Sequence, residues 1–196
     1  MFISTATNHL FIQLIDDSNI LVEYNELIDN DMSSKLFPII DSLFQKVNFT
    51  INEIDKIYVV NGPGSFTGVR IGVTFAKVLA SMLNISICPI STLEWLASGT
   101  LNKCLALIDA KRGFVYAGIY DQNLNQILKD SYIKLEEISE NYDNVVSYDN
   151  LLNANIPSFN TIKLIEKYRN VEENPHTIKP KYLKLTEAEE KRCNND

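Results

Sequence analysis

The sequence predicts an α/β fold built from two mixed-sheet units in tandem, the second shorter than the first. Two observations lead there. Three strand-like runs followed by alternating helix and strand occur once from residue 1 and again, less completely, from residue 103. The chain also has 196 residues and is 45% hydrophobic, enough to bury a sizeable core in one domain or two fused ones. The expected division is residues 1–100 for the first unit and 101–196 for the smaller second unit of the same topology.

The first unit opens with Met1 to Ser4, Leu10 to Ile15 and Ile20 to Leu27, separated by turn-forming clusters at residues 5–8 and 16–19. A helix is expected from about Ser33 to Val47, with Pro38 bending it, then a buried strand from Lys56 to Asn61. A second helix spans about Thr67 to Leu83 and a short strand Ile85 to Ile90. A third helix, capped by Ser91 or Thr92 with Glu94 in its first turn, runs to Ser98, where Gly99 stops it. The second unit repeats the order. Lys103 to Asp109, Phe114 to Tyr120 and Gln126 to Leu135 are strands. Glu136 to Glu140 is a short helical piece, Asn144 to Tyr148 a weak strand and Ser158 to Arg169 a helix. From Pro175 to Asp196 the chain reads as an extended segment and a frayed end.

Composition excludes some functions. A formal net charge of -7 with no Lys/Arg-rich run disfavours a stand-alone nucleic-acid binder. The three cysteines Cys88, Cys104 and Cys193 have no close spacing and read as reduced thiols of a cytoplasmic protein. No apolar run approaches the ~20 residues that span a bilayer, so no membrane role is expected.

Both main helices carry more apolar surface than one sheet covers. With residues at about 100° intervals, Leu36, Phe37, Ile39, Ile40, Leu43, Phe44 and Val47 fill an arc of roughly 160° of the first. In the second, the polar residues Arg70, Thr74, Lys77 and Ser81 occupy only about 60°. Its remainder divides into a bulky stripe, Ile71, Phe75, Val78 and Met82, and a small stripe, Gly72, Ala76 and Ala80, suited to close helix approach. Two readings stay open: packing within the chain alone, or a face presented to a second molecule as well. The candidate interface comprises Leu36, Ile39, Ile40, Leu43 and Val47 with Val69, Gly72, Val73, Ala76 and Ala80.

The most specific segment is Gly62-Pro63-Gly64-Ser65-Phe66-Thr67-Gly68-Val69-Arg70-Ile71-Gly72, between a buried strand and a helix. Such a layout can hold phosphate. However, it lacks the Gly-Lys-Ser/Thr ending of a P-loop and the G-x-G-x-x-G spacing of a dinucleotide fingerprint. The string resembles the signature of the TsaB (YeaZ) family. Ser91-Thr92-Leu93, Ile108 to Gly113 with Val115-Tyr116, and Pro180 to Lys184 resemble further family segments in the same order.

The resemblance implies a duplicated actin-like/RNase H-like fold and a non-catalytic scaffold. This subunit supports the catalytic subunit TsaD, together with the ATPase TsaE, in forming threonylcarbamoyladenosine next to the anticodon of ANN-decoding tRNAs. It implies docking through the first two helices, a homodimer when TsaD is absent, and tRNA contact only through the complex. ATP and a metal are then used in the partner subunits, and this chain holds no cofactor or metal. The loop residues Gly62, Pro63, Gly64, Ser65, Phe66, Thr67, Gly68 and Arg70 shape the cleft and position the second helix.

Residues for unaided chemistry are sparse. The two histidines, His9 and His176, read as exposed turn residues without metal-ligand spacing. Actin-like ATPases carry an acidic residue at the end of the first strand of each half. Asp109 stands there in the second half, but Ser4-Thr5-Ala6-Thr7 replaces the family's Asp-Thr-x-Thr in the first. Thr5, Thr7 and Asp109 are the candidates for a vestigial nucleotide site, although for Asp109 the leading reading is a cap of its own turn. The alternative function is an independent actin-like nucleotide-binding ATPase. A peptidase reading has no Ser/His, Cys/His or metal constellation behind it.

Overall fold

A computed structural model describes residues 1–28, 31–138 and 142–184. Cys193, the charged tail from 185 onward and the end of the helical piece expected at 136–140 lie outside the described residues. Two mixed sheets organise the chain. The first contains β1 (Phe2–Ser4), β2 (His9–Asp16), β3 (Asn19–Leu27), β4 (Lys56–Val60) and β5 (Ser86–Ile90) in the order β3-β2-β1-β4-β5. β1 to β3 form an antiparallel meander, whereas β4 joins β1, and β5 joins β4, in parallel.

The second sheet contains β6 (Cys104–Asp109), β7 (Phe114–Tyr120), β8 (Gln126–Lys134) and β9 (Val145–Val146) in the order β8-β7-β6-β9. β6 to β8 are antiparallel and β9 is parallel to β6. This is the first sheet's topology without its fifth strand, so the repeated pattern and the truncation are both present. One apolar core joins the sheets, running from Phe2, Phe11 and Trp95 to Cys104, Ala106 and Tyr120. Cys88 and Cys104 are free and buried within it.

The long helices α1 (Met32–Val47) and α2 (Phe66–Leu83) are followed by α3 (Thr92–Ala97) and α4 (Thr161–Lys167). α1 contains Pro38 and ends at Asn48, whose left-handed φ of 54° is one that asparagine tolerates. The helix expected over 158–169 is shorter at both ends, because Asn160 starts it by accepting the Lys163 N–H and Tyr168 closes it. The leading part of the piece expected at 136–140 is a 3-10 turn, Leu135–Glu137.

α2 corrects one expectation. Its 18 residues, of mean hydropathy 1.4, are long and apolar enough by composition to cross a membrane. Here the helix instead lies on β1, β4 and β5, and Val69, Val73, Ala76 and Ala80 are buried. Its apolar face serves the core of a folded layer.

Candidate functional site

Residues of α1 and α2 border an apolar groove of about 580 Å³. Its floor is Leu36, Phe75 and Leu79, each buried. Its walls include Phe37 at 65% exposure, Phe66 at 52%, Val78 at 53% and Met82 at 77%. Phe37 meets Phe75 edge to face at 5.3 Å, which links the two helices. Four large, exposed apolar side chains around one concavity form the kind of patch that marks an interaction site.

Small residues set the rotation of α2. A Cβ on Gly72 would lie 2.3 Å from the Thr5 hydroxyl, so only glycine lets the helix approach the end of β1 this closely. Gly72, Ala76 and Ala80 thus face the sheet, Phe75 packs at the groove floor, and Val78 and Met82 of the bulky stripe turn outward.

The glycine loop is tied to its surroundings. Ser65 donates its N–H to the Ala6 carbonyl at 2.7 Å, and its hydroxyl caps α2 by accepting the Gly68 N–H at 3.2 Å. Those two donors are therefore already used within the chain rather than aimed at an anion. Gly62, at φ +115°, lies under the segment after α4. A Cβ there would come 2.4 Å from the Lys181 carbonyl oxygen.

Beside this loop a cleft of about 470 Å³ separates the two sheets, lined by Thr7, Ser65, Asp109, Lys111, Tyr148 and Lys184 among others. The Asp109 carboxylate accepts the Lys111 N–H at 2.8 Å and pairs with the Lys111 ammonium at 2.6 Å. The hydrogen bond from the Lys111 side chain holds the Asp109 carboxyl below its usual range. Asp109 thus caps its own turn, and its carboxylate is paired with an exposed lysine of that turn.

The matching family model is described as TsaD, tRNA N6-adenosine threonylcarbamoyltransferase, and covers residues 26–170. The tRNA threonylcarbamoyladenosine biosynthesis protein TsaB of Bacillus subtilis is 36% identical over 141 residues, 69% of this chain and 62% of the relative. The chain belongs to the family of this model, and the relatives it is similar to are TsaB proteins.

The Escherichia coli TsaB is 32% identical over 130 residues, 64% of this chain and 56% of the relative. The alignments with these two relatives thus span 62% and 56% of their lengths. The solved YeaZ from Pseudomonas aeruginosa superposes with a TM-score of 0.79 at 20% identity, covering 93% of this chain and 98% of the other, and shows the shared fold.

In this chain the structure redistributes the residues expected to face a partner. Leu36, Ile40, Leu43, Val69, Gly72, Val73, Ala76 and Ala80 are buried in the chain's own core, and Ile39 and Val47 are half-buried. Of these, Leu36 reaches the groove, at its floor. The outward residues are instead Phe37, Phe66, Val78 and Met82. Val78 and Met82 belong to the bulky stripe, so periodicity grouped them correctly but left its direction open.

Thr7 and Asp109 meet at the cleft, whereas Thr5 does not. Thr5 is fully buried and donates its hydroxyl to the Gly68 carbonyl. His9 is also placed differently from a free turn residue: it opens β2 half-buried, with its ring stacked 3.9 Å from Tyr148. His176 is exposed. Among the described residues no group of three or more His, Cys, Asp or Glu converges as a metal site.

Spacing gave no sign of two buried polar clusters, one around Asp130 on β8 and one that joins α3 to the end of α4. The Asp130 side chain on β8, 2% exposed, accepts from Ser91 at 2.5 Å, Gln126 at 2.7 Å, Lys181 at 2.7 Å and the Tyr120 hydroxyl. Burial, with the Asp130 charge second, pushes the Tyr120 phenol well up. Glu94 on α3, 5% exposed, pairs with Lys167 at 2.6 Å and accepts the Tyr168 hydroxyl at 2.7 Å. Such charges stay buried because each is answered by hydrogen bonds.

Proposed function

We propose that this chain is a non-catalytic scaffold subunit of the cytoplasmic assembly that forms threonylcarbamoyladenosine in ANN-decoding tRNAs. It docks TsaD through the groove between α1 and α2 and supports the active assembly together with TsaE. The apolar groove carries this reading, because its exposed walls give the helix pair a face the chain does not cover itself. A standard interface of about 1,600 Å² in total is within reach of two helices from each partner. Residues 1–100 act as the docking unit and the second sheet as its buttress, with tRNA reached only through the complex. In the absence of TsaD the same face is available to a second copy.

The test is reconstitution. The chain is mixed with TsaD, TsaE, tRNA and the activated threonylcarbamoyl donor, and modified nucleoside is measured alongside co-purification with TsaD. Formation that depends on this chain is the expected result. Failure both to bind TsaD and to support formation ends the proposal. Calorimetry with Mg-ATP addresses the ATPase alternative: no micromolar binding by the isolated chain is expected, and such binding would revive it.

A further inference from the structure

Among the described residues Arg70 is the only ionisable one that lines the groove, and it makes no ion pair there. Its guanidinium is held in place, lying 5.3 Å from the centre of the Phe66 ring. Phe66 in turn stacks on Tyr182, with ring centres 5.0 Å apart. Tyr182 directly follows Lys181, which is anchored by both its backbone and its side chain. The Lys181 N–H donates to the Asn61 carbonyl at 2.7 Å, and the Lys181 ammonium pairs with the buried Asp130. The Pro180 to Lys184 motif therefore has a structural consequence: it orients a positive charge at the mouth of an apolar groove.

An apolar surface seated on this groove strips water from the guanidinium. A buried, unanswered positive charge opposes docking, whereas a carboxylate matches the planar fork of arginine with two parallel hydrogen bonds. Taking as given the reading of the groove as a partner site, we propose that its occupant is an apolar helix of the partner subunit bearing an aspartate or glutamate that pairs with Arg70. A second copy fits less well. Among the described residues its own groove lining brings another guanidinium and no carboxylate, and Asp41, one turn beyond Phe37, already accepts from Gln45 at 2.7 Å.

Calorimetric titration of TsaD into the wild-type chain, Arg70→Gln, Arg70→Lys and Val78→Asp, at low and high ionic strength, tests this. Arg70→Gln is expected to weaken binding by about 30-fold or more, the lower end for truncating one member of a buried charge pair. Arg70→Lys should recover only part of it, and Val78→Asp should abolish binding. Arg70 is exposed, so unchanged melting temperatures for its two variants accompany the expected result. Equal affinity of Arg70→Gln and wild type, with binding still lost in Val78→Asp, overturns the carboxylate pairing while leaving the docking groove intact. Tight self-association that Val78→Asp abolishes and Arg70→Gln leaves unchanged makes a second copy the occupant, which also overturns it. Absence of TsaD binding by the wild-type chain removes the functional reading itself.

Discussion

Thr5 donates its hydroxyl to the Gly68 carbonyl at 2.7 Å, and the same oxygen fills the space that a Gly72 side chain would need. This contact seats α2 on the end of β1 and fixes which of its faces looks outward. Gly72→Ala is therefore expected to destabilise the fold by about 1–3 kcal/mol through overpacking, despite alanine's better helix propensity. Thr5→Ala in the same chain should recover part of the loss by vacating the space. Denaturant unfolding of both single variants and the double variant measures the coupling; strictly additive losses would show that the two residues do not compete for one volume.

Ala76 and Val78 separate folding from docking. Ala76 is fully buried against the sheet, whereas Val78 stands at the groove wall. Ala76→Phe should lower stability by at least about 1–3 kcal/mol, visible in a thermal melt. Val78→Asp should melt like wild type but lose at least about 2 kcal/mol of TsaD affinity, because it places a charge in an apolar contact. A folded, non-binding Ala76→Phe would reverse this assignment of faces.

The Lys181–Asp130 pair tests the anchoring of Lys181. Lys181→Met leaves the Asp130 carboxylate buried with three neutral donors, so a loss of about 1–3 kcal/mol is expected. Adding Asp130→Asn should return part of it, since the buried charge is then gone. Chemical denaturation of the two variants decides: a further drop in the double variant would mean that the carboxylate is held well without its lysine.

His9 provides a pH signature. Burial against Tyr148 lowers its pKa below the ordinary 6.5, so the folded chain favours the neutral ring. The stability from this contact is complete above 6.5 and declines as the pH falls from there through the lower folded value. An NMR titration of the imidazole between about pH 8 and pH 5 should place His9 below 6.5, and Tyr148→Ala should move it back toward that value. A His9 titrating at or above 6.5 in the wild type would contradict the stacked, desolvated placement.

Much of the architecture was legible because it is local. Alternating and helical periodicities mark β1 to β8 and the four helices, and the repeated order of elements announces two sheets of one topology. The Gly62 to Gly72 string was equally readable, since strand, tight loop and capped helix are set by neighbouring residues. The apolar groove was only half legible. Sequence grouped Ile71, Phe75, Val78 and Met82 on one stripe and Gly72, Ala76 and Ala80 on another, yet nothing in the periodicity says which stripe meets the sheet.

The sequence alone determined the element order, the duplication with its truncated second copy and the family motif. Tertiary structure decided the rotation of α2, the groove that follows from it, the burial of Thr5, and the pairing of Lys181 with Asp130. The physical reason is the range of the forces involved. Propensity, capping and periodicity act within a few residues, whereas the rotation of a helix is set by steric contact with a strand distant in sequence. Buried charges likewise find their partners only after the chain has brought them together.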